Sequence, residues 1–152
     1  MLKNIAVLSL TLFLIACSGS KTTPEQEIEQ FIEAGIEAAE NRERGKLEDM
    51  IAEDYLDAKG LTRKQLSQLM RAYFFRHKNI HLFTKMQEIS FPVAGEAVAR
   101  FHVAMAGQVI SDVTALSSLR AQVYEFELQL VKDDEWKLKS AAWQVANLSA
   151  LQ

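Results

Sequence analysis

The hydrophobic period of this chain changes once, near Asn79, and that change restricts the fold more than any other feature. Before it, apolar residues recur at intervals of three and four: Ile28, Phe31, Ile32, Gly35, Ala38 and Ala39, then Leu66, Leu69, Met70, Tyr73 and Phe74. That spacing places one buried stripe along each helix. After Asn79 the interval is two. Ile80, Leu82, Thr84 and Met86 alternate with His81, Phe83, Lys85 and Gln87, and Ala97, Ala99, Phe101, Val103 and Met105 alternate with Val98, Arg100, His102 and Ala104. Such alternation describes strands with one buried and one wet face. Helices gathered ahead of strands predict an α+β fold: three N-terminal helices packed on a curved four-stranded antiparallel sheet.

The helix starts are written locally. Thr23-Pro24-Glu25-Gln26 places a capping threonine, a proline at the first helical position and a glutamine that completes a capping box. Thr62 and Gln65 repeat the box, with Leu61 and Leu66 as a hydrophobic staple, and that helix is expected to end near His77. A shorter helix is expected near Lys46 to Ala52, with a turn at Gly60. Gly107 to Ser118 is a long connection, but Val109, Ile110, Val113 and Leu116 predict that part of it packs.

The last hairpin has the clearest faces. Gln122, Tyr124, Phe126, Leu128 and Leu130 share one side, and Val123, Glu125, Glu127 and Gln129 the other. A turn centred on Asp133 would set Leu130 against Trp136, Leu128 against Leu138 and Glu127 against Lys139. The apolar pattern shifts after Ser140, so a bulge is expected there.

Residues 1–16 read as an export signal: Lys3, then an apolar run from Ile5 to Ile15 that is too short to span a bilayer. Leu14-Ile15-Ala16-Cys17 resembles the lipobox of bacterial lipoprotein precursors. The resemblance implies cleavage before Cys17, a diacylglycerol on its sulfur and an acyl chain on the new amino terminus. Cys17 is the chain's only cysteine, so it has no internal disulfide partner. Residues 17–23 then form a short polar tether, and residues 24–152 one domain. Ser18, rather than aspartate, follows the cysteine. By analogy with enteric lipoproteins this implies the periplasm-facing outer membrane rather than the inner membrane. Removing residues 1–16 takes away Lys3 alone among charged residues, leaving a domain slightly more acidic than the formal net charge of −3. That balance argues against a nucleic-acid partner.

Trp136-Lys137-Leu138-Lys139-Ser140-Ala141-Ala142-Trp143 looks like the closing strand of the nuclear transport factor 2-like (ketosteroid-isomerase-like) cone fold. Glu53-Asp54-Tyr55, and a helix ending in Tyr73-Phe74-Phe75, fit the same pattern over about residues 24–146. The resemblance implies a pocket between helices and concave sheet. It spans isomerases, dehydratases, pocket binders and assembly modules, so it assigns no activity by itself.

Proton-transfer chemistry in such a pocket needs an inward carboxylate or histidine. The inward strand faces offer Thr84 and Tyr124 but no Asp, Glu or His. Asp54 and Asp57, beside Tyr55, are the candidate acid–hydroxyl set, against the plainer reading that both serve a turn. Of His77, His81 and His102, the first two are four apart, a helical metal spacing, but the helix is expected to end at His77, so that geometry is lost, and no metal or cofactor is expected. Tyr55, Tyr73, Phe101, Tyr124 and Trp143 are candidates to line an apolar pocket, or else to fill a solid core.

The expected function is therefore an envelope-anchored module without enzymatic activity. It would bind an apolar small ligand or dock an envelope protein, with Arg100, His102, Glu125 and Glu127 as the exposed docking face. An isomerase- or dehydratase-like enzyme and a homodimer formed through the sheet are the alternatives.

Overall fold

The computed structural model describes residues 21–119 and 121–151. Cys17 and the export signal lie outside the described residues. Helix α1 spans Pro24–Glu40, α2 Arg44–Asp49 and α3 Arg63–Arg76. Both capping boxes form: Thr23 and Thr62 each accept the N–H of the residue three later, whose glutamine side chain reaches back. α2 begins and ends earlier than its apolar spacing predicted. The backbone bends at Met50, because Ile51 and Ala52 leave the helix to pair with the sheet edge. Arg42 adopts the left-handed conformation (φ 59°) and its guanidinium donates to the Phe74 carbonyl at 2.8 Å. α1's exit thus closes the C-terminal end of α3, where carbonyls lack partners.

Strands β1 (His81–Ser90), β2 (Glu96–Ala106), β3 (Gln122–Lys132) and β4 (Trp136–Val145) form an antiparallel meander in sequence order. Phe101 lies opposite both Met86 and Phe126, and Phe126 opposite Trp143, so the apolar positions of four strands share the face that meets the helices. The free edge of β4 is partly covered: Ala52 N–H donates to the Leu138 carbonyl at 2.9 Å and Leu138 N–H to the Met50 carbonyl at 2.8 Å. On the opposite edge, Glu40 accepts the Leu82 N–H at 2.8 Å. Covered edges discourage strand addition by other chains.

The β3–β4 register differs from the expected one. Leu130 faces Leu138, and Lys132 faces Trp136. The expected turn, Lys132-Asp133-Asp134, and the observed one are both three residues long, within the two to five of hairpin loops, so loop length does not choose between them; the observed turn lies one residue later, with Lys132 kept in the strand. The connection is Asp133-Asp134-Glu135. The slip is by two residues at Leu130, which keeps its face, and by three beyond the bulge, where Leu128 faces Ala141 rather than Leu138 and Glu127 faces Ala142 rather than Lys139. The bulge falls at Lys139, just before the expected place, since Leu130 pairs with Leu138 but Gln129 with Ser140. It returns Ala141 and Trp143 to the inner face. A second bulge at Gln87, between Met86 and Glu88, brings Ile89 inward opposite Ala99.

The main core joins Ile28 and Ile32 of α1 to Ala97, Ala99, Phe101, Val103 and Leu130 of the sheet. A second cluster sits on the opposite sheet face, where Ala104 and Val123 were expected to meet solvent. Two short 3-10 helices, Val113–Ser117 and Leu148–Leu151, cover them with Leu116 and Leu151. A third cluster joins Ile51, Tyr55 and Ala141. All three draw on residues after the tether, so a fragment beginning at Lys21 carries every core contact described.

Candidate ligand cavity

Between the three helices and the inner sheet face lies a cavity of about 450 Å³. Its floor is a run of stacked rings: Phe101 on Phe126 (centroids 5.8 Å apart, 11° between planes) and Phe126 on Trp143 (6.3 Å, 23°). Its roof combines Ile32 and Ile36 of α1, Leu47 of α2, and Leu66, Leu69 and Met70 of α3 with the rings of Phe31, Tyr73 and Phe74. Gly35 shapes the corner between α1 and α2, because a Cβ there would approach the Met50 Cε to 3.4 Å. Leu69 lines the cavity while 44 % exposed, so the α3 side is where it meets solvent.

No Asp, Glu, His, Lys or Arg is among the described lining residues. Side-chain polarity comes from the Tyr73 and Tyr124 hydroxyls and the Trp143 indole. Tyr73 O–H donates only to the Met105 sulfur at 3.6 Å, a weak acceptor, and burial pushes its pKa up, with Tyr124 a lesser cause. Tyr124 O–H donates to the Gln122 side chain at 3.0 Å.

Tyr73, Phe101, Tyr124 and Trp143 line the cavity. Tyr55 does not. It is 2 % exposed in the third cluster, and its hydroxyl donates to Asp57 at 3.4 Å. Asp57, 6 % exposed, accepts the N–H groups of Lys59 and Leu61 at 2.8 and 2.9 Å. Asp54 is exposed and ion-paired with Lys139, which holds its carboxyl below the usual range. The candidate acid–hydroxyl set therefore lies outside the cavity, one carboxylate in the turn and the other on the surface.

Burial, with the Asp57 carboxylate beside it, pushes the Tyr55 phenol up to about 12 from 10.0. The folded state then holds this proton more tightly than the unfolded one. The resulting stability is complete below pH 10 and is lost as pH rises towards 12, by about 3 kcal/mol in all. Urea denaturation from pH 9 to 12 should show that loss, and Tyr55→Phe should flatten it.

His77 stacks on Tyr73 (centroids 4.3 Å apart) at the end of α3, His81 begins β1, and His102 lies opposite Glu125 on the outer sheet face. Among the described residues no group of three or more His, Cys, Asp or Glu is placed to hold a metal ion. The outer face is largely self-paired: Arg100 bonds Glu127 at 2.7 Å and Glu88 at 2.9 Å, and Glu125 accepts from Gln144. Sequence reasoning missed Lys59, whose ammonium sits 4.4 Å from the centroid of the Trp143 ring. The signal was present in Asp57-Ala58-Lys59-Gly60, an aspartate-and-glycine turn that carries a cation.

No protein-family model and no curated protein matches this chain. Solved structures do. One from Novosphingobium aromaticivorans, named for scytalone dehydratase, superposes with a TM-score of 0.64 at 16 % identity, over 81 % of this chain and 84 % of that one. A ketosteroid isomerase-like protein from Erwinia carotovora gives 0.59 at 12 % identity, over 80 % and 95 %. Bd1075 of Bdellovibrio bacteriovorus gives 0.61 at 10 % identity over 80 % of this chain, which spans only 40 % of Bd1075. The fold is the nuclear transport factor 2-like, ketosteroid-isomerase-like α+β cone. At these identities the likeness defines the fold alone, and the chemistry has to be argued from the site.

Proposed function

We propose that this protein is a lipid-anchored envelope protein whose cone holds an apolar small ligand without transforming it. The observation that carries the reading is a cavity of about 450 Å³ whose described lining has hydrocarbon, aromatic rings and two phenols but no proton-transfer carboxylate or histidine. Cavities of this size suit small molecules, and apolar walls with few polar groups suit binding. Isomerisation or dehydration needs a base facing the substrate, and Asp54 and Asp57 are engaged elsewhere.

The address rests on Leu14-Ile15-Ala16-Cys17 and Ser18. Two or more acyl chains hold a protein stably, where one does so only marginally. The membrane partner is then the anchor's bilayer, and the outer membrane's periplasmic face the expected location. Two measurements on the protein from its own envelope test this. Wild type should fractionate with membranes carrying an acyl-modified Cys17, and Cys17→Ser should not carry the modification. Solvent extraction of the folded wild-type protein should release a stoichiometric apolar compound. An unmodified Cys17 in membrane-bound wild type would contradict the anchor, and turnover of an extracted compound would contradict the binding role.

A further inference from the structure

We infer that the ligand of this cavity is an apolar anion, whose charged head rests at the rim against Lys59 while its hydrocarbon body lies over the stacked rings. The inference rests on the binding role proposed above and adds the ligand's chemical class.

Lys59 is held in place by its turn. The Asp57 carboxylate accepts two N–H groups of the loop, and Gly60 takes the positive φ of 79° that closes it. The turn fixes the Lys59 backbone, and its ammonium lies over Trp143, a ring that lines the cavity, as Lys59 itself does not, and continues the stack through Phe126. A cation over an indole face is stabilised there and keeps its remaining donors for a further partner. Among the described residues no carboxylate lies within ion-pair distance of the Lys59 ammonium. Asp57 already takes three donors from Lys59, Leu61 and Tyr55.

The charges on the helices point the same way. Leu69, Tyr73 and Arg76 fall four and then three residues apart, on one ridge of α3, so a second cation follows the two lining side chains at the solvent side. α3 carries Arg63, Lys64, Arg71 and Arg76 and no carboxylate. α1 carries Glu25, Glu27, Glu29, Glu33, Glu37 and Glu40 and no cation, and none of these glutamates is among the lining residues. Arg63 is ion-paired with Glu53, so an anion reaching the cavity past α3 meets Lys64, Arg71 and Arg76, and its apolar body meets hydrocarbon.

The test uses the fragment Lys21–Gln152 and two probes of one chain length, dodecanoate kept below its micelle concentration and dodecan-1-ol kept below its solubility limit, titrated calorimetrically at pH 7 and low salt. Both should bind wild type. Lys59→Gln should weaken dodecanoate relative to dodecanol by about three- to five-fold, the worth of one rim charge. Lys59→Arg should keep the wild-type ratio, and added salt should shrink it. An unchanged ratio in Lys59→Gln, with both probes still bound, overturns the anionic class but leaves the cavity's binding role standing. Failure of both probes to bind wild type overturns both.

Discussion

Leu128→Trp is expected to abolish ligand binding while leaving the fold intact. Leu128 lies in the middle of β3, facing inward, opposite Ala99 on β2 and Ala141 on β4. Both neighbours are small, and Leu128 lines the cavity. An indole at this position extends into open space rather than into packed atoms. Overpacking a filled core costs about 1–3 kcal/mol, whereas filling a void commonly leaves stability unchanged or improves it. Dodecanol affinity should fall at least about 100-fold, equivalent to roughly 3 kcal/mol. The urea midpoint should hold or rise. A solid core would give the opposite pattern, with a clear loss of stability.

Asp57→Ala should be the most damaging change at a carboxylate. It strips the acceptor from the Lys59 and Leu61 N–H groups and from the Tyr55 hydroxyl at once, at a buried position. Unsatisfied buried groups cost about 1–3 kcal/mol each, and part of this loop can turn to water, so a total of about 2–4 kcal/mol is expected. Asp57→Asn keeps an oxygen in place and should retain most of the stability. Asp54→Ala removes only an exposed ion pair and should change stability by less than about 1 kcal/mol. Denaturant titration of the three variants separates the two roles weighed for these aspartates. A catalytic base held in an unfavourable setting is usually neutral or stabilising to remove, whereas a residue that builds its turn is not.

Much of this structure was legible because it is local. Thr23 with Gln26, and Thr62 with Gln65, act within one turn of chain, and strand alternation names its own faces. Partners are less local, and there the sequence was less informative. The face assignments of Tyr124, Phe126, Leu128 and Leu130 hold despite the shifted hairpin because β3 also pairs with β2, where they lie opposite Val103, Phe101, Ala99 and Ala97. The bulge at Gln87 had no local signal, since Met86 and Ile89 are each compatible with an inner position. Ala104 and Val123 read as wet because their cover arrives from Leu116 and Leu151, distant in sequence. Tyr55 shares its ring type with the pocket aromatics, and ring type does not say whether a side chain lines a cavity or is buried beside it. Its place is decided by Ile51 and Ala141, which bury it beneath side chains that themselves line the cavity. The site itself was half legible: Tyr73, Phe101, Tyr124 and Trp143 follow from periodicity, but the cation over Trp143 depends on where a loop lands.

Ligand binding requires the space between helices and sheet to be hollow and ready to accept an apolar molecule. The most direct measurement is a fluorescence titration of the fragment Lys21–Gln152 with the neutral probe N-phenyl-1-naphthylamine, run in parallel on Leu128→Trp. A saturable enhancement at one probe per chain, with a Kd on the order of 10 μM and lost in Leu128→Trp, is the predicted result. Unsaturable binding, or the same binding in both proteins, would contradict it.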